Sequence, residues 1–94
     1  MSAVIDTAVE QLSAKLADGF DGVAKFVIEG EGAIMLDASG VRSGDDEADV
    51  TLTASVDVFK AILDGEMNPT MAFMTGKLSV DGSMGLAMKL AAVL

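Results

Sequence analysis

The sequence predicts an α+β fold, in which a mostly antiparallel sheet carries its helices on one face. Three observations point there. Helical spacing at the start of the chain gives way to strict alternation near Phe26. Two short glycine turns follow, of the kind that joins hairpin strands. Later, capping residues mark the starts of three further helices.

The first element is a helix. Val4, Ile5, Ala8, Val9, Leu12 and Leu16 recur at helical spacing, with Asp6, Glu10 and Lys15 elsewhere on the wheel. Ser2 suits the N-cap, and Gly19 stands where a helix commonly stops. Phe26 and Ile28 then alternate with Lys25, Val27 and Glu29, the period of a strand. Gly30-Glu31-Gly32 is a turn, and a second strand runs from Ala33 to Ala38 with Ile34 and Leu36 on one face. A turn at Ser39-Gly40 leads to a short third strand, Val41 to Ser43. Gly44-Asp45-Asp46-Glu47 reads as a polar, solvated loop.

In the fourth strand, Ala48 to Ala54, Val50, Leu52 and Ala54 face one way and Asp49, Thr51 and Thr53 the other. Ser55 caps a helix containing Val58, Phe59, Ile62 and Leu63 that ends at Gly65. Asn68-Pro69 starts a short helix carrying Met71, Phe73 and Met74, since proline suits the first turn, where no amide hydrogen is needed. After Gly76, Lys77 to Asp81 form a last strand with Leu78 and Val80 inward. Gly82-Ser83 open a final helix to Leu94. The order is α-β-β-β-β-α-α-β-α, with no repeat, no linker and no second domain in 94 residues.

Composition narrows the function. The net charge of −9 repels phosphate, so nucleic-acid binding and electrostatic adhesion to an anionic membrane are not expected, and no stable membrane association is expected. The six basic residues form no run. Without cysteine there are no disulfides or thiolate metal sites. No secretory pattern begins the chain, and no apolar stretch reaches membrane-spanning length. A cytoplasmic location is expected. The absence of histidine removes the commonest general base and imidazole ligand. Gly82-Ser83-Met84-Gly85 lacks the spacing of a nucleophile elbow, and its ordinary reading is a cap. Gly30-Glu31-Gly32 precedes a strand, not a helix, so it is no dinucleotide loop. Asp45, Asp46, Glu47 and Asp49 lack the calcium-loop pattern. The expectation is a binding domain that does not catalyse and needs no cofactor or metal.

The apolar residues are unusual in kind: seven Met and four Phe, with no Trp or Tyr. Met fills irregular space and adapts to varied partners, although a Met-rich core is the plainer explanation. The final helix is apolar almost all round. Leu86, Leu90 and Leu94 with Ala87 and Ala91 make one stripe, Met84 and Met88 a neighbouring one, Val93 widens it, and Lys89 is its only charge. Such a helix suits the wall or lid of a cavity, or a protein contact.

The second half of the chain also carries an ordered pattern. It runs Ala48-Asp49-Val50-Thr51-Leu52-Thr53-Ala54-Ser55, Phe59, Leu63-Asp64-Gly65-Glu66-Met67-Asn68-Pro69 and Ala72-Phe73-Met74-Thr75-Gly76-Lys77-Leu78-Ser79-Val80-Asp81-Gly82-Ser83-Met84, closing on Leu86-Ala87-Met88-Lys89-Leu90. With a looser match in the first half, Phe26-x-Ile28-x-Gly30 and Met35-Leu36-Asp37, it resembles the sterol-carrier-protein-2-like (SCP-2 sterol transfer) family. The resemblance implies a five-stranded mixed sheet with helices over one face and an apolar tunnel between them. It further implies non-enzymatic binding or transfer of fatty acids, fatty acyl-CoA or sterol-like molecules, by a monomer or weak dimer. Ile34, Leu36, Leu52 and Leu78 are then the expected sheet-side wall, with Phe59, Leu63, Met71, Phe73, Met74, Met84 and Met88 from the helices. The family often has an aromatic residue in the second strand, where this chain has Ala33-Ile34-Met35. Peroxisomal members end in a Ser-Lys-Leu-like signal, where this chain has Ala92-Val93-Leu94, which suggests a free-standing protein of bacterial type. The competing reading is a protein-interaction module that uses the apolar final helix.

Overall fold

A computed structural model describes residues 3–94, so the Ser2 cap lies outside the described residues. The elements follow the predicted order. They are α1 (Ala3–Lys15), β1 (Ala24–Ile28), β2 (Gly32–Asp37), β3 (Gly40–Ser43), β4 (Val50–Ala54), α2 (Val56–Leu63), α3 (Pro69–Met74), β5 (Leu78–Gly82) and α4 (Met84–Val93).

Local chemistry places the helix ends. The Ser55 hydroxyl accepts from the Val58 amide at 3.3 Å, and the Asn68 side chain accepts from the Thr70 amide at 2.8 Å. Gly65 and Gly76, at φ +79° and +78°, stop α2 and α3. In each case the next residue's amide reaches back five positions, Glu66 to Ala61 and Lys77 to Ala72, as in a Schellman cap.

The sheet order is β3-β2-β1-β4-β5. Three of the four pairings are antiparallel, and the fourth, of the central strand β1 with β4, is parallel. The sheet is therefore mixed, mostly antiparallel and five-stranded. Placing β4 beside β1 forces the chain from one edge of the sheet across β2 and β1. The connection 44–49 makes this crossing over the face opposite the helices. Met35, which alternation aims at that outer face, is there only 1 % exposed, with Gly44 against its side chain. Lys25 Nζ holds Asp45 Oδ1 at 2.8 Å. The segment expected to be a solvated loop is thus a strap that keeps its carboxylates outward while covering a methionine.

On the inner face the register lines up Leu36, Ala24 and Val50, then Ile34, Phe26, Leu52 and Val80, then Ile28, Ala54 and Leu78. Helix α1 adds Ile5, Ala8 and Leu12, and α2 adds Phe59, Ile62 and Leu63. Phe26 and Phe59 meet edge to face at 5.0 Å, an arrangement worth about 0.5–1.5 kcal/mol beyond burial. Among the described residues no polar or charged residue is buried. The core is held by apolar packing alone.

Candidate functional site

The inner face is not covered equally. Above β4 and β5 lies a narrow apolar cleft, floored by Leu52, Leu78 and Val80. The pairings Leu52–Val80 and Ala54–Leu78 fix this floor, because residues directly opposite in adjacent strands point to the same side. Helix α3 forms one wall with Pro69, Thr70 and Phe73, and α4 the other with Met84, Ala87, Met88 and Ala91. The α4 residues are spaced i, i+3, i+4 and i+7, a single helical stripe. Ala87 keeps that wall thin at the floor, while Met84 and Met88 rise to the rim, 47 % and 59 % exposed.

The start of α4 is fixed to the sheet. The Ser83 amide donates to the Asp49 carbonyl oxygen at 2.9 Å, and the Ser83 hydroxyl caps the helix by accepting from the Leu86 amide. Gly82, at φ +105°, brings the backbone so close that a Cβ there would strike the Asp49 carbonyl oxygen. At the other end, Lys89 Nζ and Asp21 Oδ2 are 3.4 Å apart and exposed, which restrains α4 only weakly.

None of the lining residues is charged, and Thr70 is the one polar side chain among them. The cleft therefore offers burial rather than hydrogen bonds. Its volume is about 30 Å³. Pockets for small organic ligands usually measure about 300–1,000 Å³. The open apolar tunnel expected for this fold is here a nearly shut cleft, because α3 and α4 rest on the sheet.

The expected lining residues divide into four groups. Leu52, Phe73, Leu78, Met84 and Met88 meet in the cleft. Ile34 and Leu36 are fully buried on β2, within the main core. Phe59 and Leu63 border a different groove of about 210 Å³, between α1 and α2, whose other lining includes Thr7, Gln11 and Lys60. That groove is larger but lies between helices and is partly polar, whereas the cleft reaches the sheet. Met71 and Met74 face solvent, 57 % and 72 % exposed, on the outward side of α3. Pro69, Thr70, Val80, Ala87 and Ala91 also line the cleft and are not among the expected lining residues. Small residues four apart on an otherwise bulky apolar helix were the available signal for the two alanines. Alternation with Leu78 was the signal for Val80.

Among the described residues no cluster of carboxylates is arranged to hold a metal ion. Asp37 lies on the surface, where the Arg42 guanidinium at 2.8 Å and the Ser39 amide hold its carboxyl below the usual range. No helix among the described residues is long and apolar enough to cross a membrane.

The sequence profile of the SCP-2 sterol transfer family matches residues 4–94. The chain belongs to this family. Solved members of the SCP-2 family share its architecture. The crystal structure of sterol carrier protein 2 like 2 from Aedes aegypti superposes with a TM-score of 0.80 at 25 % identity, covering 97 % of this chain and 96 % of that one. Sterol carrier protein-2 from Aedes aegypti, solved in complex with the C16 fatty acid palmitate, gives a TM-score of 0.77 at 27 % identity, covering 100 % and 99 %. Human sterol carrier protein 2 is 40 % identical over 80 residues, 81 % of this chain and 14 % of that protein. Hydroxysteroid dehydrogenase-like protein 2 of Xenopus tropicalis is 43 % identical over 81 residues, 78 % of this chain and 19 % of that protein. The chain thus spans less than a fifth of the length of these two curated relatives.

Proposed function

We propose that this domain binds and carries single apolar lipids in the cleft between β4–β5 and α3–α4, without catalysing a reaction. The cargo class is fatty acids, fatty acyl-CoA or sterol-like molecules. The observation that carries the reading is the cleft's rim: Phe73, Met84 and Met88 line the apolar space and are also 40–59 % exposed. These side chains are only half packed against protein, and a lipid would complete their burial. The palmitate complex of the mosquito relative, which aligns over the whole chain, supports the same reading.

The energetics allow it. Each methylene taken from water contributes about 0.8 kcal/mol. Micromolar affinity requires about 8 kcal/mol in all. A C16 chain supplies more than that, which leaves a margin for ordering the chain and opening the cleft. Opening would require α4 to move away from α3 and the sheet while its start stays held by the Ser83–Asp49 hydrogen bond. Flexible methionines on the moving wall adapt to cargo of different shape. With no charged side chain lining the cleft and Thr70 its one polar one, selectivity would follow volume and length.

Titrating the purified domain with a fluorescent fatty-acid analogue tests this. Saturable binding with micromolar or tighter affinity is expected, competed by palmitate. A folded protein that shows no saturable binding contradicts it. The exposed α4 also favours a second reading, a protein-interaction module, which requires a protein complex that survives when the cleft is filled.

A further inference from the structure

All the sulfur in this chain is methionine. There are seven Met and no Cys, so no thiol intercepts an oxidant before a thioether does. Among the described residues the methionines occupy three kinds of place. Met35 is buried beneath the 44–49 strap, and Met67 is half-buried against the core. Met71 and Met74 are exposed on the outward side of α3, outside the cleft. Met84 and Met88 are exposed as well, and among the described methionines only these two line the cleft. This pair is therefore both open to a small reagent and part of the apolar wall.

We propose that Met84 and Met88 form a reversible oxidation site, at which a hydroperoxide shuts the cleft to lipid. The proposal rests on the cargo reading of the cleft. The thioether sulfur attacks one oxygen of the peroxide. An S–O bond forms, the O–O bond breaks, and the departing oxygen takes the proton, so hydrogen peroxide leaves as water. Sulfur loses two electrons and the peroxide gains them. The product, methionine sulfoxide, is a polar side chain where an apolar one stood. Its oxygen needs a hydrogen-bond donor once water is removed. Thr70 is the cleft's one polar side chain, and its hydroxyl has a single hydrogen to donate. Two sulfoxides cannot both be satisfied there. They must stay turned to water, which leaves uncovered the lipid that Met84 and Met88 would otherwise close over. Hydrogen peroxide is uncharged, so the net charge of −9 does not hold it off. Bound lipid would in turn cover both sulfurs, so the empty domain is the sensitive form.

Hydrogen peroxide treatment of the domain, followed by peptide mass spectrometry, tests the site. In the free protein Met71, Met74, Met84 and Met88 are expected to oxidise before Met35. Saturating palmitate should slow oxidation of Met84 and Met88 several-fold and leave Met71 and Met74 unchanged. Once Met84 and Met88 are oxidised, affinity for the fluorescent fatty-acid analogue should fall by about tenfold or more, with the domain still folded by circular dichroism. Methionine sulfoxide reductases should restore it. The Met71→Leu/Met74→Leu variant should lose affinity on treatment as the wild type does. The Met84→Leu/Met88→Leu variant, whatever its starting affinity, should keep that affinity through treatment, because leucine has no sulfur to oxidise. If that variant does not fold, Met88→Leu replaces it and should lose less affinity than the wild type. Affinity unchanged by sulfoxides at Met84 and Met88, palmitate that protects all four exposed methionines alike, or an equal loss in the Met84→Leu/Met88→Leu variant overturns the proposal. So does a loss of affinity that accompanies unfolding. An untreated domain that binds no analogue refutes the cargo reading and the proposal with it, whereas normal binding both before and after oxidation refutes the proposal alone.

Discussion

Helices α1 and α4 rest on the same face of one sheet and use their apolar residues differently. On α1, Ile5, Ala8 and Leu12 are buried, and every fully exposed position is polar or alanine. Its apolar stripe is as wide as the sheet can cover. On α4, only Ala87 and Leu90 are buried, while Met84, Met88 and Val93 stand in solvent beside a single charge, Lys89. This helix carries more apolar surface than the sheet absorbs. A helix apolar around most of its circumference is normally buried or faces something outside the fold. The difference separates a scaffold half, α1 with β1–β3, from a half that leaves large apolar side chains exposed, α3 and α4 with β5, where the proposed lipid site lies.

Substitutions should therefore act on stability in one half and on binding in the other. The largest effect is expected at Leu12, fully buried beneath α1. Leu12→Ala should cost about 2–5 kcal/mol, because a cavity is left in a close-packed core. At about 4–8 °C per kcal/mol for a domain of this size, the melting temperature should fall by roughly 10 °C or more. Analogue affinity of the folded fraction should not change. A small shift in melting would mean that the scaffold half is looser than its burial indicates.

Gly82→Ala comes next. It places a Cβ against the Asp49 carbonyl oxygen at φ +105°, and such backbone strain costs about 1–3 kcal/mol. Because Gly82 precedes α4, cargo affinity should fall together with stability, which a thermal melt and a titration on one sample would show. Unchanged affinity would mean that α4 is not positioned from this junction.

Met88→Asp should invert the Leu12 pattern. The residue is more than half exposed, so the domain should stay folded with little change in melting temperature, while analogue affinity drops by about tenfold or more as a charge enters the rim. Unfolding would show that Met88 belongs to the core, and unaltered binding would move the site elsewhere. The smallest effect concerns Asp37. Its carboxyl is held below the ordinary value in the folded state, chiefly by Arg42. Folding therefore gains stability from it above the unfolded value of about 3.9 and loses that gain as pH falls through the lower folded value. Asp37→Asn should slightly lower stability at neutral pH and flatten its acid dependence below pH ~4, read from urea melts. A larger effect on binding than on stability would contradict its place in the scaffold half.

Much of this division was legible in the chain. The alternation at Phe26, Ile28, Val50 and Leu52, the caps at Ser55 and Asn68, and the stops at Gly65 and Gly76 are local signals, and each element they mark is present. The pairing of β1 with β4 was not local. It depends on contacts between residues some 26 positions apart, such as Phe26 with Leu52, and it makes the acidic segment 44–49 a strap over Met35. At the site, the pattern identified α4 as too apolar to be ordinary. It did not separate Ile34 and Leu36, which serve the core, from Leu52 and Leu78, which floor the cleft. All four alternate in the same way along their strands, and only the placement of the helices above distinguishes them.

Amide hydrogen exchange, with and without palmitate, tests directly whether the excess apolar surface of α4 is a lipid site. The prediction is that palmitate slows exchange in Met84–Val93 more than in Ala3–Lys15 or Val50–Ala54. Equal protection across these segments, or protection confined to α1, would contradict it.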